Sequence, residues 1–273
     1  MVSARSNIYW TNNFTGTIGR AQLDGTGIDE SFITGAQNLI AVTVHGDHIY
    51  WTNVGPGGLG NGPIGRARLD GTKVEQDWII AGGPAGVVVE GEHIYWTNDG
   101  EAGALGGGQS VGRARLDGSD VEQSFIAGAS NPNGIAANRT HVYWANAGSG
   151  TVGRAKLDGS EVNQSFITEG FIVSPPGDPL DAIGPVGLAI DGDHLYWTTD
   201  GAIGRARLDG THVDQGFITS AGEPKAVAVD RSHVFWANGN SAIGRARLDG
   251  AHIEPSFITG ANGPQGVAVA GVR

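Results

Sequence analysis

An aromatic–tryptophan pair recurs six times along this chain, and no other feature constrains the fold as strongly. The pairs are Tyr9-Trp10, Tyr50-Trp51, Tyr95-Trp96, Tyr143-Trp144, Tyr196-Trp197 and Phe235-Trp236. Each is followed by a Gly-Arg-Ala triplet, beginning at Gly19, Gly65, Gly112, Gly153, Gly204 and Gly244. A Leu-Asp-Gly comes next, centred on Asp24, Asp70, Asp117, Asp158, Asp209 and Asp249, and an aromatic–Ile pair closes each unit, from Phe32-Ile33 through Trp78-Ile79 to Phe257-Ile258. The tryptophans are spaced 41, 45, 48, 53 and 39 residues apart, which is the length of one four-stranded propeller blade.

Each unit reads as four short strands. Strand A is a Gly/Ala-Val-Ala-Val run such as Gly187 to Ile190, and strand B is the aromatic segment such as His194 to Thr198. Strand C carries Gly-Arg-Ala-Arg-Leu, and strand D ends in Phe-Ile. Asp-Gly between C and D predicts a two-residue type I′ hairpin, which needs positive φ at both central residues. The C-terminal run Gly266 to Val269 is a strand A with no successor, whereas the N-terminus begins directly with strands B, C and D from Ile8 to Ile33. The last strand is therefore expected to join the first blade and leave no open edge. The expectation is an all-β, six-bladed propeller of antiparallel blades, closed by a C-terminal innermost strand, as a single domain over residues 1–273.

Composition excludes some partners. The formal charge is −11, which argues against binding a nucleic-acid backbone or an anionic membrane. No apolar run approaches the ~20 residues that span a bilayer, so membrane insertion is not expected. There is no cysteine, so neither disulfides nor thiolate chemistry enter. Met1 to Arg5 lacks the apolar core of a signal peptide. Three Lys against fourteen Arg, with abundant Gly and Ala, suit a GC-rich bacterial genome.

The repeated pattern, with copies at Ile8 to Asn12, Ile49 to Asn53 and Ile94 to Asn98, resembles the YWTD repeat of the low-density lipoprotein receptor family over almost the whole chain. That resemblance implies a six-bladed, extracellular propeller used for protein recognition or for packing against neighbouring modules. The sequence departs from the family where the motif Asp is replaced by Asn12, Asn53, Asn98, Asn146, Asn238 and Thr199, and it lacks flanking cysteine-rich modules. The expected setting is a secreted or envelope-bound bacterial relative, monomeric, with no cofactor and no metal.

His48, His93, His141, His194 and His233 share one repeat position at the start of strand B. Equivalent positions lie around a ring, too far apart to share one metal. Arg20, Arg66, Arg113, Arg154, Arg205 and Arg245 form a second ring, expected to pair with acids such as the hairpin Asp, Glu75 or Glu122. The tryptophans are expected in the core. A metal-dependent hydrolase resembling the gluconolactonase family requires carboxylates converging at the channel mouth. The residues at that position are Ile40, Ala85, Asn133, Val186, Lys225 and Gln265, none of them acidic. Small residues such as Gly134, Ala136, Gly187 and Ala189 are expected to face the channel. A lyase resembling the streptogramin lyases is disfavoured by the blade count, since that family resembles a seven-bladed propeller.

Function in repeat folds tends to sit where the copies differ. The A–B and C–D turns are short and uniform. Insertions occupy the B–C loops at Val54 to Pro63 and Asp99 to Ser110, and the D–A connection at Glu169 to Pro185. All belong to one end of the blades. Their apolar residues Leu59, Leu105, Phe171, Ile172 and Leu180, with Phe14 in the matching loop of blade one and Asp178 and Asp181 at the rim, are the candidate ligand-binding residues. They suit a protein, peptide or carbohydrate. The alternatives are a hydrolase or lyase, a structural module, or a long loop that plugs the channel.

Overall fold

A computed structural model of the chain describes residues 7–54, 61–99, 109–168, 184–239 and 241–270. These form six four-stranded antiparallel sheets. Blade one holds β1 (Asn7–Asn12), β2 (Thr17–Gln22) and β3 (Asp29–Ile33); blade two holds β4 (Leu39–His45), β5 (His48–Asn53), β6 (Gly62–Arg68) and β7 (Glu75–Ala81). Blade three runs through β8 (Pro84–Glu90), β9 (His93–Asn98), β10 (Ser110–Arg115) and β11 (Glu122–Ala127). Blade four follows with β12 (Pro132–Ala137), β13 (His141–Asn146), β14 (Thr151–Lys156) and β15 (Asn163–Ile167). Blade five has β16 (Leu188–Ile190), β17 (His194–Thr198), β18 (Ile203–Arg207) and β19 (Asp214–Ile218). Blade six has β20 (Pro224–Val229), β21 (His233–Asn238), β22 (Ala242–Arg247) and β23 (Glu254–Thr259). The last strand, β24 (Pro264–Val269), pairs with β1 and supplies the inner strand of blade one, as the sequence predicts. Each inner strand lies against the inner strands of both neighbouring blades, so the ring closes.

Successive residues of a strand point to opposite faces of the sheet, and this explains the aromatic–tryptophan pair. Tyr9 enters the core between blades one and two, where it meets Trp51. Trp10 enters the core on the other side, where it meets Phe235 of blade six. The same alternation joins Tyr50 to Trp96, Tyr95 to Trp144, Tyr143 to Trp197 and Tyr196 to Trp236. The hydrophobic core is thus six inter-blade layers, each built from one blade's Tyr or Phe and the next blade's Trp.

Glycine of the Gly-Arg-Ala triplet is required by this packing. A Cβ at Gly153 would sit 2.2 Å from Trp144 Cε2, and one at Gly204 would sit 2.2 Å from Trp197 Nε1. The indole lies flat on the C strand, and no side chain fits beneath it.

Two local expectations are corrected. The Asp-Gly connection is not a two-residue type I′ turn. In blade two, Gly71 N–H donates to Arg68 O at 2.9 Å, and positive φ falls at Gly71 (83°) and Lys73 (51°), not at Asp70. Asp70 instead accepts from the N–H and hydroxyl of Thr72 at 2.9 and 2.6 Å, an Asx-type contact that builds a longer connection. Second, the small inner-strand residues do not mark a bare channel wall. A Cβ at Gly134 would lie 2.4 Å from Val186 O, and one at Gly187 2.7 Å from Ala226 Cα, both in the following blade. Close approach of adjacent inner strands demands their size.

Candidate functional site

The B–C and D–A loops share one end of the propeller, stitched by main-chain bonds between them. Asn13 N–H donates to Gly263 O, Val54 N–H to Asn38 O, Asp99 N–H to Gly83 O and Gly239 N–H to Glu223 O, at 3.3, 3.1, 3.0 and 3.0 Å. The opposite end carries the A–B and C–D turns, likewise joined, for instance by Leu116 N–H to Glu92 O at 3.0 Å.

Beneath the B–C/D–A face lies a ring of motif hydroxyls. Thr52 accepts from Ala41 N–H of its own inner strand at 3.0 Å and donates to Ala85 O of the next blade at 2.6 Å. Thr11 does the same between Gly266 N–H and Ile40 O at 2.7 and 3.3 Å, and Thr198 between Gly187 N–H and Lys225 O at 2.8 and 3.0 Å. Thr97 links Gly86 N–H to Asn133 O. Blades four and six have Ala145 and Ala237 at this position, and in blade four Gly134 N–H donates directly to Val186 O at 2.6 Å. The carbonyls of Ile40, Ala85, Asn133, Val186 and Lys225 are therefore occupied in holding blades together.

The Asn that replaces the motif Asp has its own reason. Asn146 Nδ2 donates to Gln164 O at 2.8 Å on the outer strand, while its Oδ1 accepts Ser130 N–H at 2.9 Å in the D–A loop. Asn12 and Asn238 make the equivalent pair of contacts. A carboxylate has no donor for the outer-strand carbonyl, so the amide is what ties strand B to both neighbours.

Of the candidate binding residues, Phe14 is described. It is 79% exposed, the most exposed large hydrophobic side chain among the described residues. Its N–H donates to Asn262 O at 3.3 Å, and its ring lies over Gly263, where a Cβ would come within 2.7 Å. Asn13 Nδ2 anchors the same loop to Leu39 O at 2.7 Å. Leu59, Leu105, Phe171, Ile172, Asp178, Leu180 and Asp181 lie outside the described residues.

The two rings of basic side chains belong to the blade architecture. Each repeat Arg stacks on the outer-strand aromatic of its own blade, with guanidinium carbon to ring centroid distances of 3.7 Å for Arg245–Phe257 to 4.4 Å for Arg66–Trp78. Arg66, Arg113 and Arg245 also pair with Glu75, Glu122 and Glu254, and Arg20 approaches Asp29 at 4.0 Å. The hairpin aspartates serve their own turns instead. The repeat histidines meet the strand-B Tyr or Phe in tilted ring contacts, with centroids 5.8 to 6.2 Å apart. Burial, then Arg113 and Arg115, holds the His93 imidazole below its ordinary value, and burial followed by Arg154 does the same for His141. Among the described residues, no three His, Asp or Glu side chains gather as a metal site would require.

A large depression opens at the other end of the axis. It measures about 740 Å³ and is lined by the A–B turns of blades four to six, including Arg139, Asp191 and Arg231. Those turns are uniform in length but not in residue, and the uniform length hid the difference. The signal was the tip pair, Gly46-Asp47, Gly91-Glu92 and Gly192-Asp193 against Arg139-Thr140 and Arg231-Ser232.

Neither a family signature nor a curated protein matches this sequence. Solved structures share the fold. A chain of a nidogen–laminin complex superposes with a TM-score of 0.71 at 16% identity, covering 99% of this chain and 100% of that one. A streptogramin B lyase reaches 0.63 at 19% identity over 97% and 84% of the two chains. A gluconolactonase from Xanthomonas campestris reaches 0.59 at 17% identity over 86% and 88%. The chain has the six-bladed propeller fold. At these identities the likeness is one of fold, which binding proteins and enzymes share. The blade count that separates this chain from a seven-bladed propeller does not prevent superposition on a lyase.

Proposed function

We propose that this propeller is a binding module that recognises a protein, peptide or carbohydrate through its B–C/D–A face. The observation that carries this reading is Phe14. A phenyl ring in water is costly to maintain, at roughly 1.5–3 kcal/mol relative to burial. Here the backbone bond to Asn262 O anchors its loop, and the ring lies against Gly263 with most of its surface outward. An aromatic so held suits stacking on a sugar face or an apolar side chain. The insertions at 54–63, 99–110 and 169–185 fall in B–C and D–A connections, as Phe14 does, so the copies of the repeat diverge in sequence in that class of loop.

Peptide and glycan arrays probed with the full chain test the reading. The wild type is expected to retain ligands that F14S and a deletion of residues 171–183 both lose, with melting midpoints checked for each. Ligand retention unchanged in both variants sinks the proposal.

A further inference from the structure

The depression at the A–B end is remote from the proposed recognition face and has a different chemistry. Its floor is apolar, formed by Ala137, Ile190 and Val229 at the ends of inner strands, with Leu208 and Leu248 from C–D turns, all partly exposed. Arg139 on blade four and Arg231 on blade six rise from the rim, both exposed. Arginine ion pairs among the described residues belong to Arg20, Arg66, Arg113, Arg115, Arg245 and Arg247. Arg139 and Arg231 take part in none of them.

Two of the nearby acids are committed elsewhere. Asp191 accepts Asp193 N–H at 2.7 Å, His194 N–H at 2.6 Å and the Tyr196 hydroxyl at 2.8 Å. Asp230 accepts Ser232 N–H, the Ser232 hydroxyl and His233 N–H at 2.6, 2.9 and 2.7 Å. Both carboxylates cap their own turns. Glu90 also has a partner, and Asp193, exposed at the blade-five tip, lines both this depression and the neighbouring one it shares with Arg207. Between the two arginines the blade-five tip is Gly192-Asp193, and a Cβ at Gly192 would meet nothing within 4 Å.

We propose that this depression binds a ligand with two carboxylates on an apolar body, one carboxylate for each of Arg139 and Arg231. The planar guanidinium fork matches a carboxylate bidentately. The arginines stand on blades separated by a third, and an extended diacid that spans them lays its apolar middle on Ile190, Val229 and the two leucines. An acidic peptide presents the same chemistry as a free aliphatic diacid.

Calorimetric titration of the full chain with adipate, suberate and a Glu-Leu-Leu-Glu peptide separates the sources, with hexanoate as the one-carboxylate comparison. The expected result is that at least one two-carboxylate probe binds. R139Q and R231Q should each weaken it at least ~10-fold, about 1.4 kcal/mol, and K73Q on blade two should leave it unchanged. Binding of the peptide alone assigns a polypeptide ligand, and binding of a free diacid assigns a small molecule. The proposal is overturned if no two-carboxylate probe binds, if hexanoate binds as tightly, or if R139Q/R231Q binds as the wild type does.

Discussion

Replacing Gly153 with Ala is the sharpest test of how the blades pack. The backbone at Gly153 is not in the left-handed region, so the only obstacle is space. A Cβ there would lie 2.2, 2.3 and 2.6 Å from Cε2, Nε1 and Cζ2 of Trp144. To reach ordinary contact the indole must retreat by more than about 1 Å in a close-packed layer. Trp144 is fully buried and its Nε1 donates to Gln164 Oε1 at 3.0 Å, so retreat also strains that bond. Overpacking costs roughly 1–3 kcal/mol, and a weakened buried hydrogen bond adds about 1 kcal/mol or more. Against this, alanine gains roughly 0.5–1 kcal/mol over glycine in a strand. The net expectation is a loss of about 2–3 kcal/mol, which lowers the melting midpoint by roughly 5–10 °C in a domain of this size. Two companions sharpen the reasoning. Gly65 presses equally on Trp51, but that indole N–H has no partner among the described residues, so G65A should cost about 1 kcal/mol less. G192A meets nothing and should be nearly neutral. Calorimetric melts of the three variants check the order, and a G153A midpoint equal to or above that of the wild type refutes the packing argument.

Further outcomes follow from the same geometry. T52V leaves Ala41 N–H and Ala85 O without their hydroxyl, and urea unfolding should show a loss of roughly 2–4 kcal/mol; a loss under about 0.5 kcal/mol contradicts the staple. N146D removes the donor to Gln164 O and buries a carboxyl group. Its deficit of roughly 2–4 kcal/mol at pH 7 should shrink toward pH 4, where the acid is neutral, as melts at both pH values would show. Hydrogen bonds from the following Thr or Ser hydroxyl and N–H hold Asp24, Asp70, Asp117, Asp158 and Asp209 below the ordinary value of 3.8. A depressed folded value means this stabilisation is complete above the unfolded value and is lost as pH falls through the folded one, so stability should drop below about pH 4. D209N should flatten that drop. Chelator, calcium, magnesium, manganese and zinc should leave the wild-type midpoint unmoved. A saturating metal at 100-fold over its dissociation constant would instead add ~2.7 kcal/mol.

The blade count and the buried Trp were legible because the motif is written six times, and the closure through β24 because a lone strand A at one end meets strands B, C and D without an A at the other. The turn chemistry was less so. Asp70-Gly71 looks like a two-residue hairpin, yet the Thr72 contacts to Asp70 and the positive φ of Lys73 extend the connection. The glycines were visible but their reason was not, because it lies in another strand or blade, at Trp144 for Gly153 and at Val186 O for Gly134. The hydroxyl staples were hidden for the same reason, being contacts between blades 27 to 36 residues apart in sequence, as Thr52 to Ala85 shows. Phe14 stood out by its place in a loop, and the structure describes it as exposed. Arg139 and Arg231 did not stand out, because they occupy turns of ordinary length.

Hydrogen–deuterium exchange of the full chain, with and without an array-selected ligand, tests most directly that recognition uses the B–C/D–A face. The account predicts slowed exchange around residues 13–16, 36–38 and 262–263 and in the insertions of that end, with the A–B turns at 138–140, 191–193 and 230–232 unchanged. Protection confined to those A–B turns would contradict it.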